Sequence, residues 1–201
     1  MIAMSMVIDD FIVNIHKGGC LVSPDRFTVE AYYPSKIEEE IKILAMILPP
    51  SRITYSRAWN SVTIKFPERL IGIYSNGKIT FCASSISEVK SILNFLKNLF
   101  KNIKEKYSNL TPSEEDLKLK SKLSALKLYN YLPKINCKKC GEITCMAFAV
   151  KVLNGEKKLI DCPLINNHKY EHLLKRFKKD FGETILEILV NPYTLNLSIV
   201  K

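Results

Sequence analysis

The chain has 201 residues, 47% of them hydrophobic and 25% charged, the balance of a globular protein long enough for two small domains with modest cores. Its longest apolar run, residues 43–48, falls far short of the roughly twenty residues that cross a bilayer, and Asp9 and Asp10 stand where a secretory signal would carry a basic patch and an apolar block. A cytoplasmic protein is expected, and there thiols stay reduced and clustered cysteines mean metal or redox work.

The formal charge of +10 is uneven: residues 1–100 carry 11 Lys plus Arg against 9 Asp plus Glu, and residues 101–201 carry 19 against 11. Such an excess offsets a negatively charged metal cluster, suits an acidic partner or a nucleic acid, or is a solvated lysine-rich surface.

Residues 11–15 alternate apolar and polar like a short strand that Gly18-Gly19 ends, and residues 27–33 form a second, aromatic and β-branched strand closed by Pro34. Ser35-Lys-Ile-Glu38 reads as a capping box for a helix carrying Ile37, Ile41, Leu44, Ala45 and Leu48, which Pro49-Pro50 stops. Extended runs follow at 52–56 and 61–66. Residues 70–74 and 78–82 then flank Ser75-Asn76-Gly77, where Asn-Gly predicts a tight two-residue hairpin. Ser85-Ile-Ser-Glu88 is a second capping box, opening a helix whose Ile86, Val89, Ile92, Leu93, Leu96, Leu99, Phe100 and Ile103 make one apolar stripe.

Lysine-rich residues 106–121 read as a linker, although Thr111-Pro112 could equally cap a helix. Helices are expected over 124–132, over 146–153 with Asn154-Gly155 as terminator, and from Lys169 to about Lys179, where Gly182 breaks the pattern. Residues 184–190 and 194–200 form an apolar tail that could return to a sheet.

Four of the six cysteines fall as Cys137-x2-Cys140-x4-Cys145-x16-Cys162, with Gly141 after the second and Pro163 after the last. Four thiolates from one short segment bind Zn2+ or hold an iron-sulfur cluster. A zinc ribbon usually pairs two Cys-x2-Cys knuckles, and here there is one, so the lopsided spacing fits a wider cubane better than one ion; zinc stays the alternative. Gly141 lets amides approach the sulfurs. Lys138 and Lys139 could stabilise a reduced cluster or dock an acidic donor, and are otherwise solvated. His168 and His172 lie just past the last ligand of an already complete set.

Leu132-Pro133-Lys134-Ile135-Asn136-Cys137, Cys140-Gly141, Cys145, Ala147-Phe148-Ala149 and Cys162-Pro163 together resemble the small 4Fe-4S domain family found in the corrinoid iron-sulfur protein large subunit and in RnfB-type electron-transport subunits. The resemblance covers about residues 122–165. It implies one low-potential 4Fe-4S cluster ligated by Cys137, Cys140, Cys145 and Cys162 and passing single electrons, in an anaerobe, to a protein redox partner or a corrinoid/methyltransferase-type complex. The corrinoid-binding barrel of that family has no counterpart in the sequence, so a corrinoid would sit on a partner.

Residues of about 27–100, with strand, helix, antiparallel strands, the Ser75-Asn76-Gly77-Lys78 hairpin and a last helix, resemble one half of the TATA-binding protein fold. That resemblance implies a homodimer that could rebuild a saddle, and a nucleic-acid-binding alternative that the nearly neutral N-terminal half supports little.

His16 beside Cys20 invites a nucleophile reading without an oxyanion donor, so Cys20 is more simply structural; Cys82 reads as a buried apolar residue and Trp59 as a core or edge aromatic. With no Walker loop, dinucleotide fingerprint or zinc-protease helix, an electron-transfer protein or a subunit of an enzyme complex is expected before a stand-alone enzyme. The expected architecture is α+β: residues 1–105 as an antiparallel sheet with two helices, 106–121 as linker, and 122–201 as a small, mainly helical cluster domain.

Overall fold

The computed structural model describes residues 4–18, 20 and 25–193. The chain divides into two compact units. The first takes the described residues of Met1–Ala45 and Thr54–Thr111, and the second those of Met46–Ile53 and Pro112–Leu195.

The first unit is a sheet with two helices. Its elements are β1 (Met4–Ile8), β2 (Phe11–His16), β3 (Phe27–Tyr32), α1 (Glu38–Ile47), β4 (Ile53–Ser56), β5 (Ser61–Phe66), β6 (Arg69–Tyr74), β7 (Lys78–Ala83) and α2 (Ile86–Lys106). The seven strands form one antiparallel sheet in the order β1-β2-β3-β7-β6-β5-β4.

Period-two alternation sends Phe11, Val13, Ile15, Val29, Ala31, Ile64, Ile71, Ile73, Ile79 and Phe81 into the core. Val89, Ile92, Leu93, Leu96, Leu99, Phe100 and Ile103 of α2 are buried with them, and the stripe also includes Phe95, which stands edge-on to Phe66 at 5.8 Å. Tyr33 links the β2 residue Phe11 to Phe100 through ring contacts of 5.4 and 5.2 Å. Fully burying residues of this size stabilises by about 1.5–3 kcal/mol each.

Three local expectations are corrected. Helix α1 begins at Glu38, so Ser35 lies ahead of it and does not cap it; the Ile37 amide is satisfied by the Ser75 carbonyl at 3.0 Å. The β6–β7 hairpin has a three-residue loop in which Gly77 alone turns left-handed (φ 88°), its amide donating to the Tyr74 carbonyl, while Asn76 Oδ1 accepts from the Lys78 amide. A Cβ at Gly77 would stand 2.8 Å from the Tyr33 carbonyl oxygen, which is why this turn needs glycine. At α2, Ser85 accepts from the Glu88 amide as expected, but the Glu88 carboxylate turns to the Ser84 amide and to Arg69.

The second unit is helical: α3 (Glu114–Ser121), α4 (Ala125–Tyr129), α5 (Cys145–Leu153), α6 (Glu171–Phe181) and α7 (Glu183–Val190), with 3-10 turns at Leu159–Asp161 and His168–Tyr170. Helix α3 falls inside the stretch read as a linker and starts at a complete Ser113/Asp116 capping box. Residues 183–190 are helical where the apolar tail suggested a strand, because their buried positions, Ile185 and Leu189, recur at four-residue spacing. Residues 194–200 lie outside the described residues.

Tyr131, Phe177 and Phe181 form an aromatic cluster with centroid separations of 4.9 to 5.8 Å, capped by the Arg176 guanidinium 4.7 Å over Tyr131. Lys120 of α3 is buried and donates to the Met46 and Leu48 carbonyls within this unit. Burial pushes its ammonium down to about 7, and the two carbonyls at the end of a helix oppose that shift. No described helix is long and apolar enough to cross a membrane.

Candidate metal centre

Helix α4, capped by the Ser124 hydroxyl, carries the chain to buried Leu132 and to Pro133. From there the backbone coils tightly. Lys134, Asn136, Lys138 and Gly141 all have positive φ, at 61°, 49°, 61° and 84°. A left-handed non-glycine residue costs on the order of 1 kcal/mol or more and persists only where its surroundings hold it. Three within five positions mark a strained loop that its surroundings must hold in place.

Side chains fix that loop. Asn136 Oδ1 accepts from the Cys145 amide at 2.8 Å, and the Gly141 amide closes a turn on the Lys138 carbonyl at 2.9 Å. Thr144 then caps α5 by accepting from the Ala147 amide. Cys145 is therefore the first residue of this helix, directly after its cap. The fourth cysteine follows the 3-10 turn Leu159–Asp161, held by the Asp161 carboxylate on the Lys158 amide.

Cys137, Cys140, Cys145 and Cys162 all line one cavity, together with Leu132, Pro133, Ile135, Asn136, Phe148 and Leu164. Its cavity volume is about 10 Å³, and about 320 Å³ is reached only when the space open to solvent is counted with it. Cys145 and Cys162 are buried at its inner side, while Cys137 and Cys140 are half-exposed.

Burial pushes the Cys162 thiol up; the Leu164 and Ile165 amides pointing at the sulfur oppose this, and the Cys140 and Cys145 thiols beside it add to it. Among the described residues no three His, Cys, Asp or Glu side chains converge as the ligands of one ion would.

The cavity wall also carries a charged network that sequence reasoning missed. Glu142, which lines the cavity, is paired with Lys151 at 3.0 Å and Lys157 at 3.9 Å, and Lys157 Nζ donates to the Cys140 carbonyl at 3.0 Å. A glutamate and two lysines at separations of nine and fifteen residues carry no recognisable spacing, and only the packing of α5 against the loop gathers them.

Lys138 and Lys139 are exposed, as are Ile135 and Ile143, at 52% and 75%. His168 is almost fully exposed and pairs with Glu171 at 3.2 Å. His172 lines a separate surface groove with Tyr131 and Arg176, so neither histidine faces the cysteines.

In the first unit, His16 Nε2 lies 3.7 Å from the Glu30 carboxylate, which pairs more closely with Lys78. Cys20 contacts Cys82. Cys82 is half-exposed on the open sheet face, not buried as its strand position suggested, and Trp59 is 74% exposed in the β4–β5 turn.

A family model described as "Putative Fe-S cluster" matches residues 132–164, the span of this cavity's walls. Gamma subunits of the acetyl-CoA decarbonylase/synthase complex are similar to part of the chain. That of Methanocaldococcus jannaschii is 42% identical over 67 residues, which is 33% of this chain and 14% of that subunit. The Methanopyrus kandleri subunit is 49% identical over 53 residues, 26% of this chain and 12% of the subunit, and that of Methanothermobacter thermautotrophicus 40% over 73 residues, 34% and 16%. The chain thus covers less than a fifth of each of these relatives. No solved structure matches it. The comparisons support an iron-sulfur segment at 132–164, in relatives that are subunits of a multi-subunit complex.

Proposed function

We propose that this chain holds one 4Fe-4S cluster on Cys137, Cys140, Cys145 and Cys162 and passes single electrons to or from a partner protein in a corrinoid or methyl-transfer complex of an anaerobe. The observation that carries the reading is the common cavity lined by all four thiols within the segment matched by an iron-sulfur family. A cubane gives each of four cysteine sulfurs its own iron, and the lopsided Cys-x2-Cys-x4-Cys-x16-Cys spacing suits it better than the two paired knuckles usual for a zinc site.

Bound there, such a cluster supplies reversible one-electron transfer at low potential. The chain's own residues do the rest. Four thiolates hold the cluster, the left-handed loop and the Leu164 and Ile165 amides offer N–H groups to its sulfurs, and Leu132, Phe148 and Leu164 exclude water on the inner side.

The outer side, at Cys137 and Cys140, stays open for exchange with a partner. There Ile135 and Ile143 with Lys134, Lys138 and Lys139 offer an apolar and basic surface to an acidic protein. The similarity to subunits of the acetyl-CoA decarbonylase/synthase complex supports a protein partner. The sheet unit serves in this reading as the docking or dimerisation module.

The test is anaerobic purification followed by iron, acid-labile sulfide and zinc analysis, with electron paramagnetic resonance after reduction. About four irons and four sulfides per chain and an S = 1/2 signal on reduction are expected. One zinc per chain with no labile sulfide would sink the proposal in favour of a zinc-stabilised structural domain.

A further inference from the structure

Two cysteines stand apart from the ligand set, and the fold of the sheet unit brings them together. The register sets His16 of β2 opposite Thr28 of β3, and Thr28 opposite Cys82 of β7. The three side chains therefore form a row on the open face, with directly facing Cβ atoms about 5 Å apart.

That row lies at the end of the sheet where the chain leaves β2 and returns as β3. Cys20 belongs to this connection, four positions beyond the last residue of β2, and its thiol is in hydrogen-bonding contact with that of Cys82. Neither is in a disulfide and both are half-exposed, so a small reagent can reach them without unfolding the core on the opposite face. Arg26 lies close enough for its charge to act on the pair.

Two thiols from positions 20 and 82, held in contact at an accessible sheet face, have what thiol–disulfide exchange needs: access, and a second sulfur within reach of the first. We propose that Cys20 and Cys82 form a dithiol that exchanges reversibly with a low-molecular-weight disulfide to give an intramolecular disulfide. The site is independent of what Cys137, Cys140, Cys145 and Cys162 hold.

The chemistry divides between the two residues. Burial, and then the neighbouring Cys20, push the Cys82 thiol up to about 11, so Cys82 stays protonated near neutral pH and the first attack falls to Cys20. The Cys20 thiolate displaces one half of the small disulfide as a thiolate and is left as a mixed disulfide. Cys82 then gives up its proton and attacks the Cys20 sulfur, releasing the second half. Two protein thiols are oxidised by two electrons, one small disulfide is reduced to two small thiols, and the two protons pass to them.

The full chain, purified and kept anaerobic, would be equilibrated with graded ratios of oxidised to reduced glutathione, quenched by alkylation, digested and weighed by mass spectrometry. The expected product is one cross-linked peptide pair containing Cys20 and Cys82, two hydrogens lighter than the free peptides, whose fraction rises with the ratio and returns to zero with dithiothreitol. In Cys82→Ser the resolving thiol is gone, and Cys20 is expected to accumulate as a stable glutathione adduct. The wild-type measurement decides even if that variant does not fold. Both cysteines alkylated at every ratio, a persistent glutathione adduct on wild-type Cys20, or a cross-link to another cysteine or a second chain would each overturn the proposal.

Discussion

The sheet unit and the loop that carries the four cysteines hold their shapes by different means. The sheet unit is specified by periodicity. Alternating residues on β2, β3, β6 and β7 and the α2 stripe meet in a core where Phe11, Ile64, Ile71, Ile92 and Phe100 are fully buried, and each contributes through apolar area removed from water. The cysteine loop buries little of itself. Lys134, Asn136, Lys138 and Lys139 are exposed, and the backbone is held in left-handed turns by single hydrogen bonds from Asn136 and Lys157. A core of the first kind stands alone, while a loop of the second kind needs the group it surrounds to offset its strain.

The sharpest way to break that comparison is to remove the metal. Chelation of iron, or Cys145→Ala, is expected to take the iron content close to zero and to open residues 132–165 to hydrogen exchange and proteolysis, while amides of β2, β3, β7 and α2 keep their protection. Equal loss of protection in both regions would mean that the sheet unit is not independently stable.

A second test lies elsewhere in the same unit. Lys120 has an ordinary value of 10.5 when unfolded and about 7 when buried. Between those values the unfolded chain holds a proton that the folded chain lacks, so stability should rise as pH climbs from about 7 towards 10.5 and should be flat below 7 with respect to this group. The rise should be on the order of a few kcal/mol before the Met46 and Leu48 carbonyls offset part of it. Lys120→Met should abolish the slope, at a cost of about 1–3 kcal/mol for the two unpaired carbonyls. Denaturant melts of wild type and variant across this window measure both.

The smallest expected effect concerns charge at the cavity wall. Lys157→Gln removes the cation that contacts the Cys140 carbonyl, and the reduced, more negative cluster should lose more than the oxidised one. The midpoint potential should fall by on the order of tens of millivolts, while Lys157→Arg should hold it near the wild-type value. A redox titration followed by absorbance separates them, and equal potentials for the two variants would limit Lys157 to holding the loop.

Much of the site was legible beforehand because cysteine spacing is a local signal. Cys-x2-Cys-x4-Cys followed by Cys-Pro named the four residues that the structure brings to one cavity, and Asn154-Gly155 marked the end of α5, whose start one residue earlier than expected is set by the Thr144 cap. The Glu142–Lys151–Lys157 network was not legible, because nothing in an isolated glutamate or lysine says which carbonyl or carboxylate it will meet. The α1 start failed for a related reason. Ser35 fits a capping box, but the Ser75 carbonyl, forty positions along the chain in sequence terms, takes up the Ile37 amide and the helix begins later. Residues 183–190 were ambiguous since a short apolar run suits strand or helix equally well.

The sequence by itself determined the strands from β2 onward, the long α2 stripe and the Cys137, Cys140 and Cys145 spacing, since each rests on residues a few positions apart, whereas β1 lies in a methionine-rich stretch whose pattern was ambiguous. Only the tertiary structure decided that those cysteines line one cavity with Glu142, that Lys120 is buried, and that Cys20 reaches Cys82. These depend on side chains distant along the chain being carried into contact by elements whose packing no local pattern records.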